Sequence, residues 1–223
     1  MIHAILLKEW IKLKRFWFLI LIINFCFTVY ALLTMNRIVN FRGVTHLWEI
    51  LLLKEVVFIN ILQYLPLLTG MLAGIVQFVP EMQQKRLKLT LHMPFSQRRM
   101  IMTMTGFGLA GIILIFILQY SLLSVYLYPI LATELVNRIL LTALPWFLAG
   151  IIAYICTVWI CIEPTGKYRI IYSLITIGAL RIFFLSDTPQ AYDSMLPLLI
   201  LFILCILYFP WFSVKRFTAG KQD

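Results

Sequence analysis

Charge is scarce in this sequence, and negative charge most of all: of 223 residues only 13% are Asp, Glu, Lys or Arg, and only nine are acidic. A soluble domain carries roughly a quarter charged residues and about half apolar ones, whereas 62% of this chain is hydrophobic. That shortage excludes an ordinary water-soluble domain and points to an integral membrane protein. Cysteine and histidine are equally thin. Cys26, Cys156, Cys161 and Cys205 all fall inside apolar runs, and His3, His46 and His92 are scattered. Neither a disulfide framework nor a metal centre is expected, and the thiols are read as small apolar packing residues. No small-residue cleavage site follows the first apolar run, so that run is expected to be retained as a span.

Catalytic signatures are missing as well. The chain has no HExxH, no paired acids near an interface and no serine with a histidine partner, which disfavours a lipid-modifying enzyme. It has no GxxxxGK[ST] loop and no series of intramembrane acids, so neither its own nucleotide hydrolysis nor proton-driven pumping is expected. No cofactor is expected on this chain. Any energy it uses must come through a partner.

What is present is a succession of apolar runs. Residues 1–15 place Lys8, Lys12 and Arg15 on one side of a helix and Ile2, Leu6, Trp10 and Leu13 on the other, which predicts an amphipathic helix lying in the membrane surface. Six spans are expected, over about 16–35, 56–79, 104–126, 139–162, 170–185 and 195–214, forming a single all-α transmembrane domain over 1–223. The first carries Asn24 and Thr28 one turn apart, suited to a hydrogen bond between helices or to a transport pathway. A polar connector is expected over 36–55, its LWEILLLK stretch forming a short surface helix. The second span carries Pro66, a candidate kink, and the Gly70/Gly74 GxxxG pair, suited to packing inside a bundle or to a dimer interface. Arg181 in the short fifth span, close to Asp187 in sequence, is read as snorkelling to the outer interface, with contact to an anionic substrate or headgroup and a buried structural pair as the alternatives.

Basic residues orient the chain. Fourteen Lys and Arg lie before the first span, between spans two and three, after span four and in the tail, against Arg37, Arg42, Lys54 and Arg138 on the other side. Both termini and the basic stretch Pro80–Thr105 are therefore expected to be cytoplasmic. Within that stretch Arg86–Met93 alternates polar and apolar residues like a strand, although Leu87 and Leu91 also share a helical face. Pro94 ends the element, and Ser96 is a candidate N-cap for the following helix.

The sequence Leu91-His92-Met93-Pro94-Phe95-Ser96, followed by Arg98 and Arg99 and preceded by Glu81 at the close of a span, resembles the inner loop of ABC-2 type permeases. The surface helix and six-span plan are similar to that family too. Two departures stand beside the match: the family's Gly-Thr pair falls at Lys85-Arg86, and its lysine a turn into the third span falls at Thr103-Met104. The resemblance implies a short cytoplasmic coupling helix between spans two and three, in which Glu81, Leu87, Leu91, Pro94 and Ser96 take the family's motif positions. It also implies a multi-pass permease of a bacterial-type inner membrane, an exporter working as a dimer with a second copy or a related permease. Cytoplasmic ATPase subunits would hold the ATP and Mg2+. On chemical grounds Leu87, Leu91 and Phe95 suit apolar knobs in a groove on such a partner, and Lys85, Arg86, Lys88, Arg98 and Arg99 suit charges that set register. The competing readings are a loop that merely rests on lipid headgroups and a non-transporting scaffold or assembly factor whose basic loop recruits a cytoplasmic partner. No nucleic-acid partner is expected.

Overall fold

The protein is all-helical in the computed structural model, which describes residues 2–53, 60–83, 96–186 and 188–218, the side chains of 38–53 and 60 excepted. Five helices are long and apolar enough to cross a bilayer: Ile2–Arg37, Leu65–Gln83, Gln97–Leu127, Thr133–Ile162 and Asp193–Thr218. The build is that of a multi-pass membrane protein.

Helix α1 runs from Ile2 to Leu53 without a break, so the boundary expected near residue 16 between a surface helix and the first span is not there. The chain has no proline before Pro66 and no glycine but Gly43 before Gly70, so nothing in the backbone interrupts the helical ladder. Nor do its first turns lie free of the bundle. Ile5, Glu9 and Leu13 are buried, and their stripe continues through Ile20, Asn24, Thr28 and Ala31, one packed face from the first turn onward. The expected connector is likewise helical as far as Leu53.

A 3₁₀ turn at Asn60–Leu62 precedes α2, Leu65–Gln83. Pro66 lies in the first turn of α2, where its missing amide has no intrahelical partner to lose, and so it starts the helix rather than kinking a span. Helix α3, Gln97–Leu127, begins a turn or two before the expected third span. Helix α4, Thr133–Ile162, is the hub: 72% of its most apolar window is buried, against 17% for Asp193–Thr218.

The closest pairing is α2 with α4, and small residues permit it. A Cβ on Gly70 would strike the Gly150 carbonyl oxygen, one on Gly150 would sit 2.5 Å from the Pro66 carbonyl oxygen, and one on Gly74 would meet the Thr157 side chain at 2.9 Å. The GxxxG pair is thus used inside this chain.

Helix α5, Gly166–Arg181, has 16 residues and continues as a 3₁₀ turn over Ile182–Phe184. It begins beside Glu163 at the end of α4 and leads to a turn whose Gln190 amide donates to Thr142 Oγ1 at 3.2 Å. Thr142 and Glu163 are about 31 Å apart along α4, so α5 runs the depth of the bundle. Arg181 is exposed at its end, and its expected partner Asp187 lies outside the described residues. In the same turn Gln190 has φ 62° and follows Pro189, the proline-then-left-handed order of a type II turn. A 3₁₀ turn at Asp193–Met195 leads into α6, Leu196–Ile206, and α7, Phe209–Thr218. The break between them comes just before Pro210, which cannot continue the preceding ladder.

Candidate functional site

The basic stretch singled out by the sequence joins the end of α2 to the start of α3. Lys85, Arg86, Leu87, Lys88, Leu91, Pro94 and Phe95 lie outside the described residues; Glu81, Ser96, Arg98 and Arg99 form its two stems. Ser96 holds the N-cap position of α3 with extended backbone, φ −62° and ψ 120°, although its side chain makes no capping bond. Arg98 and Arg99 are exposed, and the Arg98 guanidinium stands 5.3 Å from the centre of the Tyr208 ring, next to the α6–α7 break. This places the loop's second stem against the last span.

Glu81 is fully buried, yet its carboxylate is not alone. Lys8 Nζ donates to Oε2 at 3.0 Å and Lys12 Nζ to Oε1 at 3.0 Å. Lys12 also donates to Glu9 Oε1 at 3.0 Å and to the Gln77 carbonyl at 3.1 Å. Two cations and two carboxylates therefore form a neutral set, the condition under which buried charge is tolerated where water is excluded.

The network continues inward through Gln77. Its Nε2 donates to Glu9 Oε2 at 3.0 Å and to the Met104 carbonyl at 2.8 Å, and its Oε1 accepts from the Tyr154 hydroxyl at 2.8 Å. That hydroxyl also lies 3.0 Å from the Thr105 carbonyl. Every hydrogen-bonding capacity of a buried amide is engaged in this way, apart from one acceptor lone pair. Four helices meet here, and Gly108 makes the room: a Cβ there would collide with both Tyr154 OH and Gln77 Oε1. The two stems of the basic stretch, one carrying Gln77 and Glu81 and the other Met104 and Thr105, are thereby tied to each other and to α4. No family model, curated protein or solved structure matches the chain.

A second polar knot holds the α4–α5 turn. Glu163 is fully buried; its Oε2 accepts from Ser213 Oγ at 2.5 Å, and its Oε1 lies 3.4 Å from Arg216 Nε. Arg169 Nε donates to the Glu163 carbonyl at 2.7 Å. The Arg216 guanidinium lies 3.5 Å from the centre of the Tyr168 ring and donates to Tyr172 OH at 3.3 Å. Tyr172 in turn stacks on Trp159, ring centres 3.9 Å apart. The end of α4, the start of α5 and α7 are bound together at the end of the bundle that carries the basic stretch.

Asn24 and Thr28 lie far from both knots. Asn24 Nδ2 donates to the Ile20 carbonyl at 2.9 Å and across to Thr69 Oγ1 of α2 at 3.1 Å, and Thr28 donates to the Asn24 carbonyl at 2.8 Å. The structure thus joins Asn24 to α2 by a hydrogen bond between helices, while Arg181 stands exposed at the end of α5. The residues that sequence reasoning missed are Glu9, Gln77, Tyr154, Glu163, Ser213 and Arg216. Lys8 and Lys12 were visible as one side of a helix. Their counter-ion was not, because it lies 73 and 69 residues away.

Proposed function

We propose that this chain is the membrane-spanning subunit of an ATP-driven ABC-2 type exporter, working as a dimer with a second copy or a related permease. Cytoplasmic ATPase subunits dock on the basic stretch and supply the ATP and Mg2+. The observation that carries the reading is the bracing of both stems of that stretch: Glu81 and Gln77 on one, Met104 and Thr105 on the other, joined by one buried network. A lever transmits force only if its base does not yield. A neutral, hydrogen-bonded knot where α1 to α4 meet is a stiff base, and the segment carrying Leu87, Leu91, Pro94 and Phe95 is taken as the short coupling helix that the ABC-2 resemblance implies. In this reading Glu81 is a buried fulcrum, and the exposed Arg98 and Arg99 set register on the partner.

The same proposal takes the chain as six-span with both termini cytoplasmic. Supporting this, α5 and its 3₁₀ continuation cover Gly166–Phe184, about 30 Å at ordinary rises per residue. The six-span plan also puts the Lys and Arg excess on the side of the basic stretch.

The test is purification of the tagged protein in mild detergent, with mass spectrometry and an ATPase assay on the complex. A stoichiometric P-loop ATPase is expected, lost when Leu91→Ala and Pro94→Ala are combined while membrane insertion is unchanged. Recovery of no ATPase, or an ATPase indifferent to this subunit, would leave the scaffold reading in its place.

A further inference from the structure

Helices α1 and α3 leave between them a groove of about 440 Å³ lined by Leu21, Asn24, Phe25, Leu118, Gln119 and Leu122, among others. Its volume and its mix of apolar walls with a few polar groups are those of a small-molecule site. Gln119 is only 4% exposed, yet neither its Nε2 nor its Oε1 has a hydrogen-bond partner. An amide buried without a partner is costly, most of all in a bilayer where water cannot substitute. Every other buried glutamine or asparagine side chain among the described residues is bonded: Gln77 within the network and Asn24 to Thr69. Gln119 is therefore the one buried amide side chain among the described residues left with both an unpartnered donor and an unpartnered acceptor, and it stands on the wall of the groove.

The occupant's chemistry follows from the walls. No Lys, Arg, Asp or Glu lines the groove, so a charged ligand would find no counter-ion there. Leu21, Phe25, Leu118 and Val125 at the rim are exposed and apolar, so the groove opens toward lipid tails. Gln119 lies eight residues before the end of α3 at Leu127, about 12 Å of helix from the α3–α4 turn. In the neighbouring groove between α3 and α4, Ser121 and Ser124 spend their hydroxyl protons on the Leu118 and Tyr120 carbonyls.

We infer that the α1–α3 groove binds a neutral amphiphile whose single head group both donates and accepts a hydrogen bond, as a hydroxyl does, with Gln119 recognising the head and the Leu21–Phe25 and Leu118–Leu122 walls taking the tail. The site belongs to one chain and holds whether or not the protein is a transporter. The experiment reconstitutes the full chain in phosphatidylcholine vesicles and photolabels it with a long-chain alcohol bearing a mid-chain diazirine, alongside the matching alkane that lacks the hydroxyl. Labelling by the alcohol is expected to concentrate on residues 21–28 and 115–125 and to exceed the alkane's about tenfold, the weight of one well-made buried hydrogen bond. Gln119→Leu should bring that ratio close to one. Leu122→Trp, which narrows the groove and keeps the amide, should lower labelling by both probes and serves as the second variant should Gln119→Leu fail to fold. Equal labelling by alcohol and alkane in the unaltered protein would overturn the assignment, as would an alcohol preference that survives Gln119→Leu.

Discussion

Glu81 accepts from two ammonium groups, and its side chain has no exposed surface while Lys12 retains 18% and Lys8 36%. Glu81→Gln keeps the shape and removes the charge, leaving the two cations with Glu9 alone. The expected loss is about 2–3 kcal/mol, below the cost of breaking a fully buried pair because both lysines reach water. Thermal unfolding in detergent would register it, and an unchanged midpoint would show that the knot adds nothing. Lys8→Gln should cost less, since its partner keeps Lys12. At this scale the sequence exposed only half of each interaction. Glu81, Lys8 and Lys12 stood out as charges in an apolar chain, whereas Gln77 and Tyr154 are ordinary residues of apolar runs until folding places them 2.8 Å apart.

Among the helices, glycine decides which surfaces touch. Gly108→Ala would push a methyl group into Tyr154 OH and Gln77 Oε1, both fixed by other bonds, and should cost about 1–3 kcal/mol. Gly106, two residues earlier on α3, has open space where a Cβ would stand, with nothing within 4 Å, so Gly106→Ala should be neutral or stabilise by up to about 1 kcal/mol through helix propensity. Comparing the two midpoints separates packing from propensity. Gly70→Val should be the most damaging of the three, because the obstacle is the Gly150 backbone, which cannot rotate away as a side chain can. Its expected effect is unfolding of the single chain rather than loss of a dimer, to be read by comparing thermal midpoint with oligomer mass. Apolar periodicity showed that these helices exist. It could not show that α1 continues through residue 16 or that Pro66 begins α2, since those boundaries depend on which turns find partners elsewhere in the bundle.

For the whole molecule, the number of crossings turns on α5. Its start is tied to Glu163 through Arg169, and the chain after its end is tied to Thr142 through Gln190. In a cysteine-free background and sealed vesicles, an impermeant maleimide should reach Ser96→Cys and Lys167→Cys from one side and Thr133→Cys and Thr188→Cys from the other. Labelling of positions 167 and 188 from the same side would reduce the chain to five crossings and carry its C-terminus across the membrane.

The sequence alone determined the medium and the class: an apolar content of 62% in helix-length runs admits a bundle of membrane helices, because hydrocarbon requires each backbone amide to bond within its own segment or a closed sheet. It also marked the basic stretch between α2 and α3 and several of its flanking charges. Only the tertiary structure decided that Glu81 is buried against Lys8 and Lys12, that the GxxxG surface is consumed by α4, and that Gln119 is left without a partner. Each of these depends on side chains remote in sequence, and burial and hydrogen-bond satisfaction are properties of that assembly, not of any local run of residues.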